Sequence, residues 1–160
     1  MNTTNTTSGF SPAGVLARTE LLDHARHPRN KREIPEAQIV QEEANPLCGD
    51  VVTMYAILVR HPERSEGSTV RRDPSLPSAP PDDTVVDRVG FTGSGCIISQ
   101  AAASMLSEAV AGKSVTEIEA MERKDLEALL GATLSPSRVK CAMLPLIALK
   151  NGLTRHARHS

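Results

Sequence analysis

Residues 43–59 read EANPLCGDVVTMYAILV, and the fold follows from how this stretch divides. From Asp50 onward β-branched and apolar residues dominate, the composition of a strand with a buried face, while Asn45-Pro46-Leu47-Cys48-Gly49 before it is turn-forming. A strand-like run precedes the turn, AQIVQEEAN at 37–45, and another follows later, TVVDRVGFTG at 84–93. Three such runs without intervening helices predict an antiparallel meander. Residues 60–83, RHPERSEGSTVRRDPSLPSAPPDD, are rich in Pro, Ser and charge and lack apolar periodicity, so they are expected to form a mobile insertion in the second hairpin.

Outside the strands the apolar period changes to that of helices. VLARTELLDHARHPRN at 15–30 carries Leu16, Leu21, Leu22 and Ala25 on roughly one face, and Pro28 ends it. After the third strand, Ile97, Ala101, Met105 and Ala109 recur at steps of four, and Gly112 closes the run. Ser114 with Glu117 three residues later predicts a capping box, and RKDLEALLG at 123–131 and CAMLPLIALKNG at 141–152 complete a helical half. The expected class is α+β, a small three-stranded antiparallel sheet covered by helices, forming a single domain over residues 14–153. Flexible tails are expected at 1–13 and 154–160.

Composition limits function. Lys+Arg 18 against Asp+Glu 19 give a net charge of −1, and aromatics at 2% supply few stacking platforms, which argues against nucleic-acid binding. No run of eighteen apolar residues and no basic-then-apolar leader occurs, so a cytoplasmic protein without a membrane partner is expected. Three cysteines cannot form a closed disulfide framework, and free or metal-bound thiols in a reducing compartment are expected instead.

Each cysteine stands at a boundary between elements. Cys48 lies in the turn beside Asp50, and Gly49 between them can take positive φ and direct both side chains towards one point. Cys96 follows TGSG and opens a helix, where glycines permit close backbone approach and the helix N-terminus favours a thiolate. Pro145 disfavours a straight helix through residue 141, so the last helix is expected to start or kink near Cys141. Three thiolates and a carboxylate complete a set that accepts zinc or a small iron–sulfur cluster. An oxygen ligand in place of a fourth thiolate should ease cluster release, which suits a site that builds and hands over clusters. The bland alternative is that each cysteine is a small buried hydrophobe, since the separations match no zinc-finger spacing.

Four ordered motifs, LLDHARHPRNKREIPEA at 21–37, NPLCGDVVTMYAILV at 45–59, GFTGSGCIISQAAASML at 90–106 and SPSRVKCAMLP at 135–145, resemble the IscU/SufU family of iron–sulfur assembly proteins, also called NifU N-terminal-like. The resemblance covers residues 16–153 apart from the insertion. It implies that Cys48, Asp50, Cys96 and Cys141 hold Zn2+ or a transient [2Fe-2S] cluster. It also implies a scaffold or sulfur acceptor served by a cysteine desulfurase and passing cluster or sulfur to apo iron–sulfur proteins, either non-enzymatic or a zinc-dependent sulfurtransferase. Lys140 stands before the last cysteine, as in the SufU-like branch, which makes Cys48 the candidate persulfide carrier and Cys141 the alternative. LSPSRVK at 134–140 stands where IscU carries its chaperone-docking segment, so no dedicated Hsp70-type partner is expected, while the region between Cys96 and Cys141 is too short for the extra SufU segment. The alternative from another class is a structural-zinc interaction module, and a thiol-redox enzyme has little support without a C-x-x-C pair.

The other candidates read as surface. His24 and His27 lie on the first helix among Asp23, Arg26 and Arg29, His156 and His159 lie in the expected frayed end, and Arg71 and Arg72 lie in the insertion.

Overall fold

The chain is described by a computed structural model over residues 12–60 and 84–159, with side chains from Leu16 onward. In order the elements are helix α1 (Pro12–Arg26), strands β1 (Ile39–Asn45), β2 (Asp50–Arg60) and β3 (Thr84–Ser94), and helices α2 (Ile97–Ala109), α3 (Val115–Glu119), α4 (Arg123–Leu130) and α5 (Pro136–His159). The strands form one antiparallel sheet in the order β1-β2-β3, so the expected α+β meander with helices is what the chain adopts.

Pairing of Ile39 with Ala56, Gln41 with Met54 and Asn45 with Asp50, continued by Ala56 with Val89 and Met54 with Phe91, fixes which residues share a face. Side chains alternate along a strand, so Ile39, Val52, Met54, Ala56, Val89 and Phe91 all point one way, and all are buried. The last inward pair in this row is not apolar. It is Asn45 with Asp50, both buried, at the rim beside the β1–β2 turn.

Helix α2 fills the groove above this face. It packs against α1, α5 and β3, and every residue from Ile98 to Ser107 is buried. The small side chains of Ala101, Ala102 and Ala103 let its neighbours close in. Two of its buried serines are satisfied locally, Ser99 Oγ donating to the Cys96 carbonyl at 3.0 Å and Ser107 Oγ to the Ser104 carbonyl at 2.7 Å. The expected capping box is present in both directions: the Glu117 amide donates to Ser114 Oγ at 3.2 Å and the Ser114 amide to Glu117 Oε2 at 2.7 Å. At the end of α4, Gly131 takes φ +64, and a Cβ there would meet the Ala17 side chain at 2.4 Å.

Four expectations are corrected. Leu16 and Leu22 do not face the core; α1 is rotated so that Leu21 and His24 are buried with Ala25 beside them, while Leu16 is 70% and Leu22 41% exposed. His24, expected on the surface, is tolerated inside because its Nδ1 hydrogen-bonds Ser104 Oγ at 2.8 Å and its Nε2 meets the Arg29 guanidinium. Helix α5 begins at Pro136 rather than near Cys141 and carries Pro145 within it, and residues 154–159, expected as part of a flexible tail, continue it to His159. Docking on β1 explains the continuation: Gly152 abuts Ile39 and Gln41, Leu153 is buried, and Asn151 Nδ2 donates to Glu43 Oε1 at 2.7 Å. His156, Arg158 and His159 in the last turn suit the negative end of the helix. The expected insertion lies outside the described residues except for Arg60, which ends β2, and so does the expected tail at 1–13 except for Pro12 and Ala13, which already belong to α1. Among the described residues no helix is long and apolar enough to cross a membrane.

Candidate metal centre

Four elements converge on the sheet rim where Asn45 and Asp50 face inward. The β1–β2 turn supplies Cys48, the first residue of β2 supplies Asp50, the N-cap of α2 is Cys96, and the second turn of α5 carries Cys141. Gly49 takes φ +73 as expected, and its amide donates to the Asn45 carbonyl at 2.9 Å, which folds the turn back over the rim.

The Sγ of Cys48, a carboxylate oxygen of Asp50 and the Sγ of Cys141 all lie within 4.8 Å of one another. The two sulfurs are 3.3 Å apart. Cys48 is exposed, Cys96 half-buried and Cys141 buried, so the cluster opens to solvent on the Cys48 side and is closed on the Cys141 side. Cys96 enters differently from the other three: its amide donates to Asp50 Oδ1 at 3.0 Å, and its sulfur lies outside the tight trio. The structure therefore brings the side chains of three of the four predicted residues into one tight group and joins Cys96 to it through its amide, with its thiol close enough to act on Asp50 and Cys141.

Asp50 is buried, and its two oxygens are unequal. Oδ1 holds the Cys96 amide, whereas Oδ2 accepts no well-aligned hydrogen bond. Burial alone would push its pKa up, but the Cys48 thiol, the Cys96 amide and the Cys96 and Cys141 thiols together bring it below the ordinary carboxylate value of 3.8. Burial pushes the Cys141 thiol pKa well up from 9.0, and contact with Cys48 and the negative potential at Cys96 act in the same direction. The thiols around Asp50 thus stabilise its carboxylate, and a metal bound here would have to displace their protons.

Two glycines shape the pocket. A Cβ on Gly95 would stand 2.5 Å from Ser99 Oγ and 2.8 Å from both Cγ and Oδ1 of Asp50. Gly93 has φ +137, and a Cβ there would meet the Val51 carbonyl oxygen at 2.0 Å, so β3 crosses β2 too closely for a side chain. Asn45 is a site residue that sequence reasoning missed. Its Oδ1 accepts the Leu47 amide at 3.1 Å and its Nδ2 points at Cys141 Sγ, 3.9 Å away. Its place directly before Pro46 in a turn was the available signal, because Asn side chains close such turns on their own backbone. Lys140, exposed on α5, faces solvent beside Cys141, and His156 and His159 stand at the far end of the same helix.

The model of the NifU-like N terminal domain matches residues 80–160. The chain is 29% identical over 158 residues to the zinc-dependent sulfurtransferase SufU of Bacillus subtilis strain 168, covering 88% of this chain and 91% of that one. It is 30% identical over 154 residues to the iron–sulfur cluster assembly scaffold protein IscU of Streptococcus pyogenes serotype M1, covering 86% and 82%. Among solved structures, an iron–sulfur cluster assembly scaffold protein for the SUF system from Fervidobacterium islandicum AW-1 shares the fold with a TM-score of 0.58 at 24% identity, covering 84% of this chain and 93% of that one. With its fold, its rim of thiols and carboxylate and these matches, the chain belongs to the NifU-like N-terminal domain family.

Proposed function

We propose that this protein is an iron–sulfur cluster assembly factor, a scaffold or sulfur acceptor that receives sulfur from a cysteine desulfurase and passes on a cluster or sulfur. The observation that carries the reading is the open trio of Cys48, Asp50 and Cys141 with a buried carboxylate oxygen left without a partner. A purely structural zinc site is closed, whereas here the first thiol stands in solvent on a turn. The names of the bacterial relatives, a sulfurtransferase and a scaffold, support the same reading.

The donor set fits zinc: soft thiolates with one carboxylate suit its ligand preferences, and Asp50 Oδ2 is buried with no hydrogen-bond partner of its own. Cys48, Asp50, Cys96 and Cys141 are the residues that would hold it. When bound, zinc supplies the positive charge that keeps these thiols deprotonated. Iron and sulfide are cargo for the same residues. Cys48 is the sulfur acceptor because it alone of the three thiols is exposed, so a donor protein's persulfide can reach it without unfolding the rim. Asp50 orients the Cys96 amide and weakens the grip on a cluster relative to a fourth thiolate. Asn45 holds the turn that presents Cys48.

The test is sulfur transfer from a cysteine desulfurase fed with radiolabelled cysteine. Label retained on this chain and absent from Cys48→Ser supports the assignment. Equal labelling of both chains removes Cys48 as the acceptor.

A further inference from the structure

We infer that Cys141 is a resolving thiol, which in the metal-free chain attacks a persulfide on Cys48, expels its outer sulfur as hydrosulfide and leaves a Cys48–Cys141 disulfide. The inference rests on the reading of Cys48 as sulfur acceptor and adds how the sulfur leaves.

The geometry behind it is the 3.3 Å contact between the two sulfurs, which places a second thiol against the inner atom of any persulfide formed at Cys48. Displacement at sulfur runs along the line of attacking, central and leaving sulfur atoms. The inner side of Cys48 Sγ is occupied by Cys141, which is buried, and the outer side is solvent, so a sulfur delivered from outside is added opposite the attacker. Cys96 is not placed to do this, because its sulfur lies outside the trio.

The step balances without an external oxidant. An electron pair on Cys141 Sγ forms the new bond to Cys48 Sγ; the bond from Cys48 Sγ to the carried sulfur breaks, and its pair leaves with that sulfur. The carried atom is reduced to sulfide, the two cysteine sulfurs are oxidised to a disulfide, and the Cys141 proton ends on the departing hydrosulfide. Hydrosulfide is a weaker base than an alkyl thiolate and is therefore the better leaving group. A dithiol reductant, itself oxidised to a disulfide, returns both thiols for another round. A metal ion held by both sulfurs would leave neither free to react, so the step belongs to the chain without metal at these two thiols.

The experiment uses the full chain loaded with sulfur by a cysteine desulfurase and cysteine, separated from both, then freed of metal with a chelator and followed under non-reducing conditions. Intact mass and peptide mapping follow the protein, and a colorimetric assay follows sulfide. The expected course is an adduct of one sulfur on Cys48 that gives way to a Cys48–Cys141 cross-linked peptide within a single chain, with one sulfide released per cross-link. Cys141→Ser should retain the adduct for at least an order of magnitude longer and release no sulfide. Equal adduct lifetimes in the two chains, sulfur recovered on Cys141 in place of a cross-link, or sulfide without the cross-linked peptide would overturn the inference while leaving sulfur acceptance standing. No adduct on either chain would overturn the acceptor reading and this inference with it.

Discussion

Substituting alanine for Gly95 perturbs the centre without replacing any of its ligand residues. The added methyl group would sit 2.8 Å from Cγ and Oδ1 of Asp50 and 2.5 Å from Ser99 Oγ, against an ordinary contact of about 3.5 Å, so the carboxylate has to retreat by about 0.7 Å. Its bond to the Cys96 amide, 3.0 Å at present, would stretch to about 3.7 Å and cease to be a hydrogen bond. A hydrogen bond to a charged group contributes about 1.5–3 kcal/mol, equivalent to roughly ten- to a hundredfold in a binding constant. Loss of a partner that orients a metal ligand gives the same range independently, about 10–100-fold. Gly95→Ala is therefore expected to bind zinc about ten- to a hundredfold more weakly in competition with a chromophoric chelator. Both Asp50 and Ser99 are short, buried side chains with hydrogen bonds to lose, so overpacking should also cost about 1–3 kcal/mol of stability. The chelator assay is run well below the thermal transition, with circular dichroism to establish that the variant is folded. A folded Gly95→Ala chain that binds zinc as tightly as the parent would refute the argument that the glycine exists to admit the carboxylate.

Other consequences are checked more briefly. Cys48→Ser should abolish sulfur acceptance and weaken metal retention while the denaturation midpoint of the metal-free chain stays unchanged, because Cys48 is exposed; a lowered midpoint would mean the thiol is structural. Metal-free stability should depend on pH at both ends. Above 9.0 the unfolded chain loses a Cys141 proton that the folded chain keeps, so stability falls as pH rises, and below 3.8 the contribution of Asp50 is lost as pH falls through its lowered folded value. Urea midpoints on either side of each value test both signs, and zinc affinity should rise with pH as thiol protons are displaced. Deleting residues 62–82 should leave zinc affinity unchanged: β2 runs from Asp50 at the site to Arg60 at the insertion, about 33 Å at a strand's rise per residue, and a weakened site would show that the insertion contributes to it.

The strands were legible because their two-residue period and the turn chemistry of Asn45 to Gly49 agree, and the register then follows from burying Ile39, Met54 and Phe91 on one face. Gly49 and the Ser114 capping box were legible for a similar reason: local geometry demands those residue types. Helix α1 misled because Leu22 and His24 are two residues apart, and hydrophobicity prefers the leucine inside. What decides the matter is a hydrogen-bond partner, Ser104, eighty residues away, which no local pattern carries. The start of the last helix misled for the opposite reason, since Pro145 is a strong local signal for a boundary near Cys141, yet the helix begins at Pro136 and runs through Pro145 with Leu144, Leu146 and Leu149 buried. At the centre, the boundary positions of the three thiols pointed to a shared rim, but the separate roles of the Cys96 amide and the Cys141 side chain depend on the angle at which α2 and α5 meet the sheet, which the sequence does not encode locally.

The central claim, an open site that assembles or relays sulfur chemistry, is tested most directly by anaerobic reconstitution with a cysteine desulfurase, cysteine, a thiol reductant and ferrous iron, read by visible absorption before and after adding an apo-ferredoxin. The account predicts either a chromophore that forms on this chain and moves to the ferredoxin, or retained zinc with faster desulfurase turnover. Zinc held without exchange, no chromophore and unchanged turnover would contradict it and leave the metal a role in the fold alone.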